Sequence, residues 1–167
     1  IERVDWFANG WGEIINYPEI ELSETEKRIG QYVASLVEDG STVQLGVGGI
    51  PNAAAKEFYT KNDLGIHSEM ARLAEEGVIT GRMKTINKDK MIGSFAMGTQ
   101  ELYDFIDGNP AVELRSGNYV NNPCIISQNY KMVSVNTALQ IDLAGQVCSE
   151  SFGPIQYSGI GGAMDFA

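Results

Sequence analysis

Positive charge, histidine and cysteine are all scarce in this sequence, and each shortage removes a class of function. Twelve Lys and Arg stand against 22 Asp and Glu, a formal net charge of -10 over 167 residues. Such a field repels nucleic acid and anionic membrane surfaces, so any anionic ligand has to be held by local donors. One histidine, His67, and two separated cysteines, Cys124 and Cys148, do not make the usual zinc spacings, and no metal is expected. No apolar run approaches the ~18 residues of a membrane-spanning helix. With no leader-like segment at its start, the chain reads as cytoplasmic, with both thiols reduced.

What is present is enough apolar content, 43%, for one real core. The chain starts at Ile1 without an initiator methionine and stops at Ala167 just after a glycine cluster, so it reads as a fragment of a longer protein. Residues 1–22 lack periodicity and read as an irregular entry segment or linker. Order begins at Ser23-Glu24-Thr25-Glu26, a capping box, followed by apolar residues at helical spacing, which predicts a helix over 24–38 with a stop at Gly40. Thr42–Leu45 reads as a strand running into the loop Gly46-Val47-Gly48-Gly49-Ile50, with Pro51 in the first turn of a second helix. A strand at 65–68 then completes a strand, crossover, strand unit of the kind that builds parallel sheets.

Beyond it the pattern predicts helices at 71–76, 100–106 and 123–129 and strands at 90–96, 131–135 and 146–149, with 138–143 open to either reading. Met91, Phe95, Met97, Tyr103 and Phe105 read as core. A second glycine loop, Tyr157-Ser158-Gly159-Ile160-Gly161-Gly162, is expected to open a further helix. The alternation implies an α/β domain built as a layered, open, mostly parallel sheet.

The first glycine loop is not a dinucleotide fingerprint, because Pro51 stands at the third glycine position, and no Gly-Lys-Ser/Thr phosphate loop or Gly-x-Ser-x-Gly elbow occurs. It is either a tight turn or a cradle whose N–H groups face a phosphate, a pantetheine amide or an oxyanion. In a regular strand His67 and Glu69 share one face and Ser68 takes the other. At the carboxyl end of a parallel strand, where open sheets place ligands, Glu69 is either a solvated charge or a carboxylate able to attack an acyl thioester. Arg82, Lys84, Lys88 and Lys90 could hold nucleotide phosphates, but a basic loop answering neighbouring acids is the preferred reading. Asn121, Asn122, Asn129 and Asn136 suit substrate hydrogen bonds or turns and caps.

Three sets of motifs carry a resemblance: residues 34–51, ending Gln44-Leu45-Gly46-Val47-Gly48-Gly49-Ile50-Pro51; Leu64-Gly65-Ile66-His67-Ser68-Glu69-Met70; and Met97-Gly98-Thr99, Leu102-Tyr103-Asp104-Phe105, Gly145-Gln146-Val147 and Tyr157–Gly162. Together they resemble the acetyl-CoA hydrolase/transferase family, most closely its 4-hydroxybutyrate and butyrate:acetate CoA-transferase branch. The resemblance implies a CoA-transferase type of α/β fold, with residues 23–167 forming part of the nucleophile-bearing domain, incomplete at its C-terminus and without the preceding domain. It implies Glu69 as nucleophile in a ping-pong cycle through a glutamyl-CoA thioester, with His67 and Ser68 positioning the motif. Gln44, Gly46, Gly48, Gly49, Ile50, Gly159, Gly161 and Gly162 would contact coenzyme A or the oxyanions.

The substrates implied are an acyl-CoA and a short-chain carboxylate of the 4-hydroxybutyrate, butyrate or acetate class, handled by a homo-oligomer. Two alternatives stay open: a hydrolase, in which water accepts the acyl group, and a non-catalytic CoA-binding fragment. The chain departs from the family where Gly162-Ala163-Met164 replaces the usual Gly-Gly-Gln, and the link from Met70 to Gly77 is several residues shorter.

Overall fold

The computed structural model describes residues 10, 12, 14–17, 21–69 and 77–167, with Glu69 described through its backbone. The helix expected over 71–76 and the shortened link after Met70 lie outside the described residues.

Helix α1 (Glu24–Leu36) starts where its capping box places it: Ser23 Oγ accepts from Glu26 N at 3.2 Å, and Glu26 Oε2 accepts from Ser23 N at 2.8 Å. It ends one turn before Gly40, at Leu36. Strand β1 (Thr42–Leu45) leads through the glycine loop into α2 (Gly49–Glu57), which closes in a 3-10 turn at Phe58–Thr60. The two helices meet backbone to backbone at Gly30, where a Cβ would lie 2.6 Å from the Ala53 carbonyl carbon. Only glycine allows that approach.

β2 (Gly65–Glu69), β3 (Met91–Phe95), α3 (Gln100–Ile106) and β4 (Val112–Leu114) follow. Two short helices, α4 (Gly117–Val120) and α5 (Pro123–Ile126), lead to β5 (Met132–Val135). β1 to β5 form one parallel sheet in the order β4-β3-β2-β1-β5. From β1 the chain builds outward through β2, β3 and β4, then returns to add β5 on the opposite side of β1. That reversal is a topological switch point, the place where open α/β sheets bind ligands at the carboxyl edge.

Alternation sorts the sheet into two buried faces. Val43, Leu45, Leu64, Ile66 and Val135 join Ala34, Ala54, Phe58 and Leu102 in the apolar core under α1, α2 and α3. The alternate residues include buried Thr42, Gln44, His67 and Ile92. His67 bonds to Val120 of α4, which places the short helices on this second, more polar face.

The carboxyl-terminal region is built differently. β6 (Gln140–Ile141) pairs antiparallel with β7 (Val147–Cys148), and β8 (Ser151–Phe152) with β9 (Ile155–Gln156). Ile141, Val147, Phe152 and Ile155 are all exposed there. The sequence pattern missed β4, α4, β8 and β9, and of the segment 138–143, open to either reading, only Gln140–Ile141 is strand. The second glycine loop opens a single 3-10 turn, Ala163–Phe166, rather than an α-helix. Of the aromatic and methionine set read as core, Met91 is buried, whereas Phe95 and Met97 are exposed at 45% and 37%.

Candidate functional site at the carboxyl edge of the sheet

Glu69 is the last residue of β2, in register with Phe95 of β3. The pairing slips between Ser68 and Glu69, and Ser68 has a φ of +122°, a region that non-glycine residues enter only under strain. Such a bulge costs on the order of 1–3 kcal/mol and concentrates at working sites. It also interrupts the strict alternation, so the face shared by His67 and Glu69 in a regular strand does not follow for this one.

His67 is fully buried and its Nε2 lies 2.9 Å from the Val120 carbonyl oxygen. A carbonyl only accepts, so Nε2 carries the proton and Nδ1 is the bare nitrogen; Nδ1 has no partner among the described residues. Burial lowers the imidazole's proton affinity, and the charges of Lys84 and Arg115 lower it further against the opposing effect of the Val120 bond. The ring thus ties β2 to α4.

Beside β2, the first glycine loop leaves the carboxyl end of β1. Gly48 caps α2 with a φ of +134°, a conformation that calls for glycine. The first N–H groups of α2, at Gly49 and Ile50, have no partner within the helix. Thr137, next after Asn136 at the end of β5, places its Oγ1 beside this loop, 3.4 Å from where a Gly48 Cβ would sit. That hydroxyl is buried with no hydrogen-bond partner among the described residues. Helix amides and an unpaired hydroxyl thus meet at the switch point, a donor set suited to a carbonyl or phosphate oxygen. Thr137 was missed in the sequence; its one signal was adjacency to Asn136 after an apolar strand.

Glu26 borders the same place from α1. A Cβ on Gly49 would lie 1.8 Å from Glu26 Oε1, so the carboxylate rests directly on the helix start, where the dipole favours it.

Gln44, expected among the ligand contacts, is hydrogen-bonded within the sheet. Its Nε2 donates to Asn136 Oδ1 at 3.1 Å, while its Oε1 accepts from Asn136 Nδ2 at 3.0 Å and from Ser134 Oγ at 2.5 Å. This reciprocal pair locks β1 to β5. Asn136 in turn packs on Gly46, whose Cβ would meet Asn136 Oδ1 at 2.6 Å. Gln44 and Gly46 therefore frame the loop from behind.

The second loop is exposed. Gly159 and Gly161 have open space on their Cβ side, and Gly162 packs on Asn121, whose Nδ2 donates to Asp165 Oδ2 at 3.0 Å. That bond, and Phe166 with its ring centroid 6.3 Å from that of His67, dock the 3-10 turn on the β2 side of the sheet.

The basic cluster divides. Arg82 pairs with Asp63 at 2.9 Å and Lys90 with Glu113 at 3.7 Å, as a loop answering its acids would. Lys84 is instead buried, and its Nζ bonds to two backbone carbonyls. Cys124 and Cys148 are free thiols. Among the described residues no group of His, Cys, Asp and Glu could hold a metal, and no helix is long and apolar enough to cross a membrane.

Residues 98–167 match the family model of the acetyl-CoA hydrolase/transferase C-terminal domain. Over 171 residues the sequence is 45% identical to the 4-hydroxybutyrate coenzyme A transferase of Clostridium kluyveri, covering 99% of this chain and 40% of that protein. RipA from Yersinia pestis superposes with a TM-score of 0.85 at 39% identity, over 92% of this chain and 36% of RipA. The 4-hydroxybutyrate CoA-transferase of Porphyromonas gingivalis superposes with a TM-score of 0.72 at 42% identity, over 78% of this chain and 35% of that one. The chain spans 40% or less of the length of each.

Proposed function

Because the chain belongs to the acetyl-CoA hydrolase/transferase family, we propose that it supplies the nucleophile-bearing part of a CoA-transferase, moving coenzyme A between an acyl-CoA and a short-chain carboxylate. Residues 23–167 form that part, and 1–22 lead into it. The observation that carries the reading is positional. Glu69 ends a parallel strand directly beside the strand whose carboxyl end opens into Gly46–Ile50.

In this reading a Glu69 carboxylate oxygen attacks the thioester carbonyl, the C–S bond breaks, and CoA thiolate leaves a mixed anhydride. The thiolate then attacks the glutamyl carbonyl, releasing the first carboxylate and leaving a glutamyl-CoA thioester. A second carboxylate reverses both steps, and no water is consumed. Each carbonyl attack develops an oxyanion, and donors at Gly48, Gly49 and Ile50, with Thr137 Oγ1, are suited to receive it. One such donor contributes ~3 kcal/mol to barrier lowering. The exposed Phe95, in register with Glu69, and exposed Val47 suit a short aliphatic acyl group.

Incubating the protein with acyl-CoA and digesting it should yield a CoA thioester on the peptide holding Glu69. Glu69→Gln should lose transfer by at least 10³-fold while still binding CoA, since it removes the nucleophile and keeps the shape. An unmodified Glu69 peptide under turnover, or full activity in Glu69→Gln, rejects the assignment.

A further inference from the structure

β2 is paired discontinuously along the side that faces β3. At its start, Leu64 bridges Ile79: Leu64 N donates to the Val78 carbonyl at 3.0 Å, and Gly81 N donates to the Leu64 carbonyl at 3.0 Å. The chain then leaves the sheet for residues 81–90, a loop drawn closed on the Gly81 carbonyl by Lys84 N and Asp89 N, each at 3.1 Å. It returns as β3, whose pairing with β2 begins at His67 and Ile92.

The junction between these two stretches falls at Ile66 and Lys90. In a ladder, N–H and C=O groups of alternate residues face alternate neighbours. Gly65 N donates toward β1, to the Ser41 carbonyl, so Ile66 faces β3. Met91 N donates toward β4, to the Ala111 carbonyl, so Lys90 faces β2. Two carbonyl oxygens thus approach the same break.

Lys84 Nζ sits between them, donating to the Ile66 carbonyl at 2.9 Å and to the Lys90 carbonyl at 2.9 Å. The side chain is 3% exposed, and its stem lies on Gly65, where a Cβ would come within 2.5 Å of Lys84 Cγ. No carboxylate bonds to it among the described residues. A buried cation is costly to hold without an acid partner, and two carbonyls at a strand break are what it gains in return.

We propose that Lys84 is a positioning residue for the transfer reaction: its ammonium closes the break beside β2 and so fixes the strand that ends in Glu69. The inference rests on the reading of Glu69 as nucleophile, but the staple itself is measurable without catalysis. Removing the donor takes from the Lys90 carbonyl its bond to Nζ and leaves the Ile66 carbonyl with only its ladder bond to β3, so β2 loosens where its pairing with β3 begins. The strained turn at Ser68 would relax with it.

The test is Lys84→Met, which keeps the aliphatic length and removes the donors. Amide hydrogen exchange at 66–69 and 91–93 should quicken at least tenfold, with amides of α1 and β5 unchanged. Single-turnover formation of the Glu69 thioester should slow at least tenfold, with CoA affinity within twofold of wild type. Uniformly faster exchange throughout the protein would make Lys84 a general stability residue and overturn the proposal. So would thioester formation at the wild-type rate. A wild-type protein that never forms the adduct would instead refute the function and leave the exchange result standing on its own.

Should Lys84→Met fail to fold, lysine acetylation of the native protein followed by peptide mapping decides the matter. Lys84 should react at least 100-fold more slowly than exposed Lys27 and Lys88. Equal reactivity would show that the ammonium is not held in the break.

Discussion

Gly46–Ile50 leaves a fully buried strand and enters a nine-residue helix, whereas Gly159–Gly162 follows an exposed hairpin and enters one 3-10 turn. In sequence the two loops are hard to tell apart, each a run of three glycines broken by a branched apolar residue, Val47 in the first and Ile160 in the second. What separates them is what stands around them. The first has Glu26, Asn136 and Thr137 packed against its glycines; the second has Asn121 against Gly162 and open space beside Gly159 and Gly161. A glycine loop acquires binding geometry from the elements that confine it, and only the first has them on several sides.

The largest effect expected from this contrast is at Gly48. With φ at +134°, Gly48→Ala carries strain of about 1–3 kcal/mol, and relief of that strain turns the start of α2 away from the switch point. Loss of one donor alignment is worth ~3 kcal/mol of barrier, so thioester formation at Glu69 should fall about 10²- to 10³-fold. Stopped-flow acylation would measure it. A Gly48→Ala variant with wild-type acylation would put the oxyanion donors somewhere else.

The next effect concerns the strand beside that loop and two buried bases, His67 within it and Lys84 bonded to it from the following loop. His67 is held below its ordinary 6.5, so under acid the unfolded chain takes up a proton that the folded chain refuses. Stability should therefore fall as pH drops below 6.5. Lys84 is lowered from 10.5 to about 8, chiefly by burial and then by Arg115, against a smaller pull from Glu113. Between pH 8 and 10.5 the unfolded chain keeps a proton that the folded chain has shed, so stability should rise with pH there, by on the order of 3 kcal/mol. Urea unfolding across pH 5 to 10.5 would resolve both windows. Lys84→Met should abolish the upper rise and spare the lower fall; a rise that persists in the variant would assign it to another group.

These two residues also mark where the sequence was legible and where it was not. The capping box, β1, the first loop and the parallel crossover to β2 are local patterns, each fixed by residues within a turn or two of each other, and the structure has them. Lys84 reads as one more charge in a basic loop, because its burial depends on a pairing break between Ile79 and Ile92 that no local pattern encodes. The bulge at Ser68 is hidden for the same reason, and so is the use of Gln44, whose amide is taken by Asn136 at 3.1 Å from another strand. β4 lies in the short run between Pro110 and Arg115, too brief for a period to show. In the hairpins, Ile141, Val147, Phe152 and Ile155 make an apolar pattern that stays exposed among the described residues.

The smallest effects belong to the second loop, and their ordering tests whether confinement is the right distinction. Gly161 has a φ of +61° and free space where a side chain would go, so Gly161→Ala should cost about 1 kcal/mol from left-handed strain alone. Gly159→Ala meets neither strain nor neighbour and should stay within about 0.5 kcal/mol of wild type. Both variants keep their N–H groups, so CoA affinity, read by calorimetry, should hold within a fewfold if this loop meets its ligand at the surface. A loss at Gly159→Ala as large as that at Gly48→Ala would mean that a ligand or a further part of the protein closes over Gly159–Gly162. The loop would then be confined too, only by something other than the described residues.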